Sequence, residues 1–223
     1  MSPSTPLGTD GLILYGHEFS SYTWKALIPL YADDTDFEFR SVEQHGAEFA
    51  ACAPFGQFPL LVDDGEVIAE SSIIIEHLQR HHPGPNRWIP DGDAGLRVRF
   101  LDRVFDLRVM DRANVPVANA LRPAEAKDPY GVEQALTKLR AAYDWLDRNL
   151  AEDGWAAGEA FTMADCAAAP ALFYADWIEP IGDHRPRLAR YRQRLLAHPA
   201  VSRAVEQARQ FRHYFPLGAP DRD

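Results

Sequence analysis

The hydrophobic period changes once along the chain. Between Gly11 and about Arg80, short apolar runs alternate with helical stretches, and from Leu96 onward the spacing is helical alone. Such a switch predicts two successive units with different architectures. In the first unit "LILY" precedes a helical stretch around Trp24 to Tyr31. "FEFRSV" is a second strand candidate, "GAEFAACA" a short helix, and "FPLLV" and "EVIAE" flank "DDG". Asp-Gly tolerates the positive φ of a tight turn, so the last two runs read as a hairpin. "SSIIIEHLQRHH" then reads as a helix with Ser71 or Ser72 placed to cap its free N–H groups. The expected order is β-α-β-α-β-β-α.

"HHPGPNRWIPDGDAG" is rich in Pro, Gly and Asp without apolar periodicity and reads as a linker. Beyond it, Val132, Leu136, Leu139, Tyr143, Leu146 and Leu150 alternate steps of four and three. The expected division is residues 11–82, a linker at 83–92, and an all-helical domain at 93–223. "FTMADCAAAPALFYADW" is apolar on nearly every side, as a helix buried all round must be. Thr162 and Asp165 stand at capping-box spacing before it. Pro170 should kink this helix unless a neighbour accommodates the lost bond.

The net charge of −10 disfavours a nucleic-acid partner. No run is apolar for the roughly 18 residues a bilayer span needs, and "MSPSTPLGTDG" lacks a leader pattern, so the chain reads as soluble, unprocessed and without a membrane partner. Cys52 and Cys166 show no metal-ligand spacing and suggest no disulfide framework, which fits the cytoplasm. Arginines 185, 187, 190, 192, 194, 203, 209 and 212 face the single acid Glu206 in the stretch from 184 to 212. They read as a solvated surface offset by acids elsewhere, or as a face for an acidic partner.

With "PFGQFPLL" and "ESSIIIEHL" in place, this organisation resembles the cytosolic-type glutathione transferases, nearest to serine-type, phi-like or bacterial members. The resemblance runs from about Leu12 to about Phe215. It implies an α/β thioredoxin-like N-terminal domain plus an all-α C-terminal domain. It further implies glutathione as co-substrate without a metal, a small hydrophobic electrophile as second substrate, a detoxifying role and a homodimer.

The resemblance also assigns residues. Pro59 takes the place of a proline that follows a cis peptide, and Phe58 that of the residue whose backbone meets the cysteinyl part of glutathione. An X-Pro bond holds the preceding residue extended, which suits that role. Gln57 matches the glutamine before this pair. Glu70 and Ser71 resemble the pair that holds the γ-glutamyl end, where a helix N-terminus favours the carboxylate and an acid the ammonium. Gln44 and His45 stand where phi-like members keep a His-Lys pair for the glycyl carboxylate, so a cation has become an imidazole and weaker or pH-dependent binding is expected.

"YGHEFS" sets Ser20 on the catalytic serine of phi-like members, where a hydroxyl at a helix N-terminus can donate to the glutathione sulfur and favour its thiolate. A serine there cannot form a mixed disulfide, which disfavours thiol-disulfide exchange. Tyr15 is the alternative, standing where other classes keep a catalytic tyrosine. Ser21 and Tyr22 are further alternatives, and His17 reads as structural. Phe19, Tyr22 and Phe105 are candidates for the electrophile pocket, with Met110 and Trp177 behind them. Glutathione-dependent lyase, dehalogenase or peroxidase activity, or a non-catalytic carrier or interaction role, remain open on the same fold.

Overall fold

The computed structural model describes residues 11–223; the N-terminal segment read above as lacking a leader lies largely outside them. The first unit holds β1 (Leu12–Gly16), α1 (Ser21–Ala32), β2 (Glu38–Ser41), α2 (Gly46–Cys52), β3 (Leu60–Asp63), β4 (Glu66–Ala69) and α3 (Ser71–His81). The strands lie in the order β2-β1-β3-β4, with β1 parallel to β2 and antiparallel to β3. Asp64 and Gly65 both take positive φ in the β3–β4 turn, as a tight hairpin requires.

Alternation along β1 sorts the core. Leu12 and Leu14 pack with α1 and α3 residues such as Leu27 and Leu78, while Ile13 and Tyr15 point to the other face, against Phe49 of α2. The sheet is thereby covered on both faces.

After the linker come α4 (Gly92–Val104), a π-helical turn (Phe105–Met110) and α5 (Asp111–Leu121), which follow one another without a break. A π turn within an α-helix is uncommon and frequently marks a functional region. Next come α6 (Pro129–Asn149), α7 (Met163–Ile178), α8 (Pro186–Ala197) and α9 (Pro199–Ala208). Helix α7 is buried over nearly its whole length and forms the axis of the domain. Asp165 accepts hydrogen bonds from the Thr162 N–H at 2.9 Å, the Ala156 N–H at 2.8 Å and the Tyr191 hydroxyl at 2.6 Å. The expected capping box is present and anchors α8 as well. Pro170 does not end the helix, which continues to Ile178.

One sequence expectation changes. Neither Ser71 nor Ser72 caps α3, because Glu70 occupies the cap position with φ 72° and the Ser72 hydroxyl donates instead to Asp102 at 2.9 Å. In the arginine-rich stretch, acids from elsewhere in the chain offset the charge: Arg185 pairs with Asp144 at 2.7 Å, Arg187 with Glu152 at 3.4 Å, and Arg209 and Arg212 with Asp223. The acids that neutralise it come from α6, the α6–α7 loop and the C-terminus.

The two units meet along α1. Trp24 packs on Phe173 of α7 with ring centroids 4.9 Å apart. Beside them the buried Lys25 ammonium lies 2.5 Å from Asp102 and 2.7 Å from Asp106, and Arg103 reaches the same two carboxylates. Among the described residues no helix is long and apolar enough to cross a membrane.

Candidate active site

The segment from His17 to Ser20 is fixed by its own polar groups. His17 Nδ1 accepts from the Phe19 N–H at 3.0 Å, which leaves Nε2 to donate to Glu43 at 3.2 Å. The Trp24 indole donates to the Glu18 carbonyl at 2.6 Å, and the Tyr174 hydroxyl to the Phe19 carbonyl at 2.8 Å. Ser20 therefore stands at a defined place, as the N-cap of α1, accepting from the Thr23 N–H at 3.3 Å. An oxygen used as acceptor leaves its own hydrogen free to donate.

Ser20 opens into a cavity of about 660 Å³ between the two units. Its walls are Phe19 and Tyr22 on one side, Met110, Val117 and Leu121 on the helical side, and Tyr214, Phe215 and Pro216 of the C-terminal segment above. That segment is packed against both units. Phe211 and Tyr214 stand against the His17 ring at 5.0 and 5.7 Å, and Arg222 pairs with Asp176 of α7.

A second cavity of about 320 Å³ adjoins the first and is more polar; Tyr22, Gln57 and Phe58 line both. Pro59, Glu70, Ser71, Arg103, Asp106 and Asp111 complete it. The Phe58–Pro59 bond is cis, and among the described residues no backbone partner meets the Phe58 N–H or C=O. The N-terminus of α3 faces this space with Ser71 at its first position. Burial pushes the Asp106 carboxyl above its ordinary range although Lys25 and Arg103 oppose the shift. Burial also raises the Tyr22 phenol, which the nearby Asp106 and Asp111 carboxylates raise further. Tyr22 is thus a neutral donor, bonded to Asp111 at 3.2 Å.

The family model of the glutathione S-transferase N-terminal domain matches residues 14–86, and that of the C-terminal domain matches residues 129–194. The chain belongs to the glutathione S-transferase family. It is 30% identical over 210 residues to glutathione S-transferase GstB of Escherichia coli (strain K12), an alignment covering 87% of this chain and 97% of that one. It is 26% identical over 223 residues to the maleylacetoacetate isomerase of Pseudomonas aeruginosa, covering 93% and 97%. A solved glutathione S-transferase from Methylobacterium radiotolerans, in complex with glutathione sulfonate, superposes with a TM-score of 0.76 at 25% identity, covering 87% and 94%.

Within this glutathione S-transferase, the structure gathers Ser20, Phe19, Tyr22, Gln57, Phe58, Pro59, Glu70 and Ser71 around the paired cavities. Other sequence candidates lie elsewhere. Tyr15 is fully buried on the α2 face of the sheet, where its hydroxyl donates to Glu48 at 3.2 Å and accepts from Arg40 at 3.0 Å. The alternation of β1 turns it away from both cavities. Phe105 is fully buried in the helical core, stacked on Tyr191 at 6.2 Å, because the π turn carries it inward. Trp177 likewise packs against Phe173 and Phe215 behind the cavity wall. His45 begins α2, 3.4 Å from Glu48, and lines neither cavity.

Sequence reading missed Arg103, Asp106, Asp111, Asn114 and Tyr174. All but Tyr174 belong to the helix interrupted by the π turn, and at helical spacing they look like any amphipathic surface. The recurrence of Asp102, Asp106 and Asp111 beside apolar positions was the one readable signal.

Proposed function

We propose that this family member is a glutathione transferase in which the Ser20 hydroxyl stabilises the glutathione thiolate for attack on a small hydrophobic electrophile. The supporting observation is the shared wall of the two cavities: a polar groove and an apolar chamber meet at Tyr22, Gln57 and Phe58, with Ser20 on the chamber side.

In this reading glutathione lies on the unit of residues 11–82. Its γ-glutamyl carboxylate meets the α3 N-terminus and Ser71, and its ammonium meets Glu70. The unpaired backbone of Phe58 takes the cysteinyl amide, and Gln57 stands beside it. The thiol then points to the start of α1. There the Ser20 O–H and the helix dipole favour the ionised sulfur. Lowering the thiol by about two pKa units toward neutrality corresponds to roughly 2.7 kcal/mol. The electrophile occupies the chamber built mainly by residues 93–223, and its leaving group or unsaturated carbon faces the sulfur.

The isomerase relative supports a second reading, reversible addition of the thiolate to a double bond. No Lys or Arg lines the larger cavity, which favours an uncharged electrophile over an acid such as maleylacetoacetate. The partners in this reading are glutathione, the electrophile and a second subunit. Exposed Ile73, Leu96 and Phe100 on α3 and α4 support homodimerisation, and two free cysteines are compatible with the cytoplasm.

Titration with glutathione near pH 6.5, read as ultraviolet difference absorbance, tests the reading. Saturable thiolate at a pH where free glutathione is almost wholly thiol is the expected result. Binding without thiolate would assign the protein to a carrier role.

A further inference from the structure

At the far end of α3 from Ser71, three side chains converge for which glutathione chemistry has no use. Asp63 ends β3, and His77 and His82 lie in and just after the last turns of α3. Asp63 Oδ2 stands 2.7 Å from His77 Nε2 and 2.7 Å from His82 Nε2. All three donor atoms lie within 4.8 Å of one another. His81 stacks on His77 with ring centroids 4.4 Å apart. His77 and His82 stand roughly 9 and 16 Å along the helix axis from Ser71, and neither they nor Asp63 line either cavity.

We propose that Asp63, His77 and His82 bind one divalent transition-metal cation, zinc foremost, which clips the β3–β4 hairpin to the C-terminus of α3. This goes beyond the transferase reading and does not depend on it. Two imidazoles and one carboxylate are the donor set of an open tetrahedral site, with bonds of about 2.0–2.2 Å. Donor atoms in that geometry stand roughly 3.4 Å apart. The observed 2.7 Å separations therefore need to open by about 0.7 Å, a shift within reach of side-chain rotation, and the three donor atoms already lie together. His81 or water supplies the fourth position.

The surroundings favour a cation. The C-terminus of α3 directs partial negative charge toward the site. Asp63 and His77 are mostly buried and His82 is about one-third exposed, which gives fixed donors with an entry path. On binding, each imidazole coordinates as the neutral tautomer that carries its proton on Nδ1, which frees the Nε2 lone pair, and the hydrogen bonds to Asp63 are replaced by metal bonds.

The test uses the full-length protein stripped with a chelator and kept free of glutathione, whose thiol would compete for zinc. Competition against a chromophoric zinc indicator should give one equivalent per chain. Asp63→Asn and His82→Gln should each weaken binding by at least the 10- to 100-fold seen when mere supporting partners of metal ligands are lost. Zinc should raise the Tm of the wild type and leave that of His82→Gln, a partly exposed position that tolerates change, where it was. Absence of stoichiometric binding by the folded wild type, or undiminished binding by both variants, would overturn the proposal.

Discussion

Lys25 and Asp102 form a buried ion pair, 2.5 Å from nitrogen to oxygen, that ties the first helix of the sheet unit to the helical unit. The side chains are 1% and 2% exposed, so neither charge can recover its hydration if the other is removed. Removing one member of such a pair costs about 3–5 kcal/mol, whereas replacing both with apolar residues is often nearly neutral. Lys25→Met should therefore lower unfolding free energy by about 3 kcal/mol or more in urea titration. Lys25→Met combined with Asp102→Leu should recover most of it. Equal losses in the single and double variants would show that packing, not charge, dominates at this seam.

Ser20→Ala removes one donor to a charged sulfur, an interaction of about 1.5–3 kcal/mol, so kcat/KM should fall roughly 10- to 100-fold. The pKa of bound glutathione should rise while its affinity changes little. The variant also loses the α1 N-cap, for about 1 kcal/mol of stability, and its Tm should be measured alongside. A bound thiol of unchanged pKa would remove Ser20 from the role. Tyr15→Phe, with its hydroxyl held by Arg40 and Glu48 on the other face of the sheet, should leave activity within a few-fold.

Glu70 holds φ at 72°, a conformation that costs a non-glycine residue about 1 kcal/mol or more. Glu70→Gly relieves that strain but removes the carboxylate facing the polar cavity. Stability should hold or rise while glutathione affinity falls about tenfold, read by thermal unfolding and isothermal titration. A parallel loss of both would mean that Glu70 acts chiefly as a structural residue. Ser71→Ala should weaken glutathione by several-fold through loss of one hydroxyl donor.

His198 stacks on Phe161 with centroids 4.1 Å apart, and burial lowers its pKa below the ordinary value of 6.5. Between that lowered value and 6.5 the unfolded chain binds a proton that the folded chain does not. Stability contributed by this site is therefore lost as pH falls through that window. His198→Phe, which keeps the stack and cannot protonate, should flatten the dependence of Tm on pH below 6.5. A slope identical to that of the wild type would exclude His198 as its source.

The order of the first seven elements was legible because each is signalled locally. Asp64-Gly65 signals a tight turn and the short apolar run "LILY" a strand, and in the second unit Thr162 with Asp165 signals a helix start. Gln57, Phe58, Pro59, Glu70 and Ser71 were legible as a group because two short stretches carry all of them. The cap of α3 was misread because Ser72 bonds across space to Asp102, a partner thirty residues away that no local rule includes. The grouping of Asp63 with His77 and His82 was not legible, because Asp63 lies on β3 and meets the end of α3 only in the assembled fold.

The sequence by itself determined the elements of the first unit and their order, the helical character of the second, and the chemistry available at the start of α1 and α3, because propensity, turn geometry and capping act over a few residues. Tertiary structure alone decided which candidates share a cavity. The pleat of β1 turned Tyr15 to the far face, the π turn sent Phe105 into the core, and packing of the C-terminal segment on His17 brought Phe215 over the chamber. These outcomes depend on which faces bury against each other between segments distant in sequence, and burial is a property of the assembled fold.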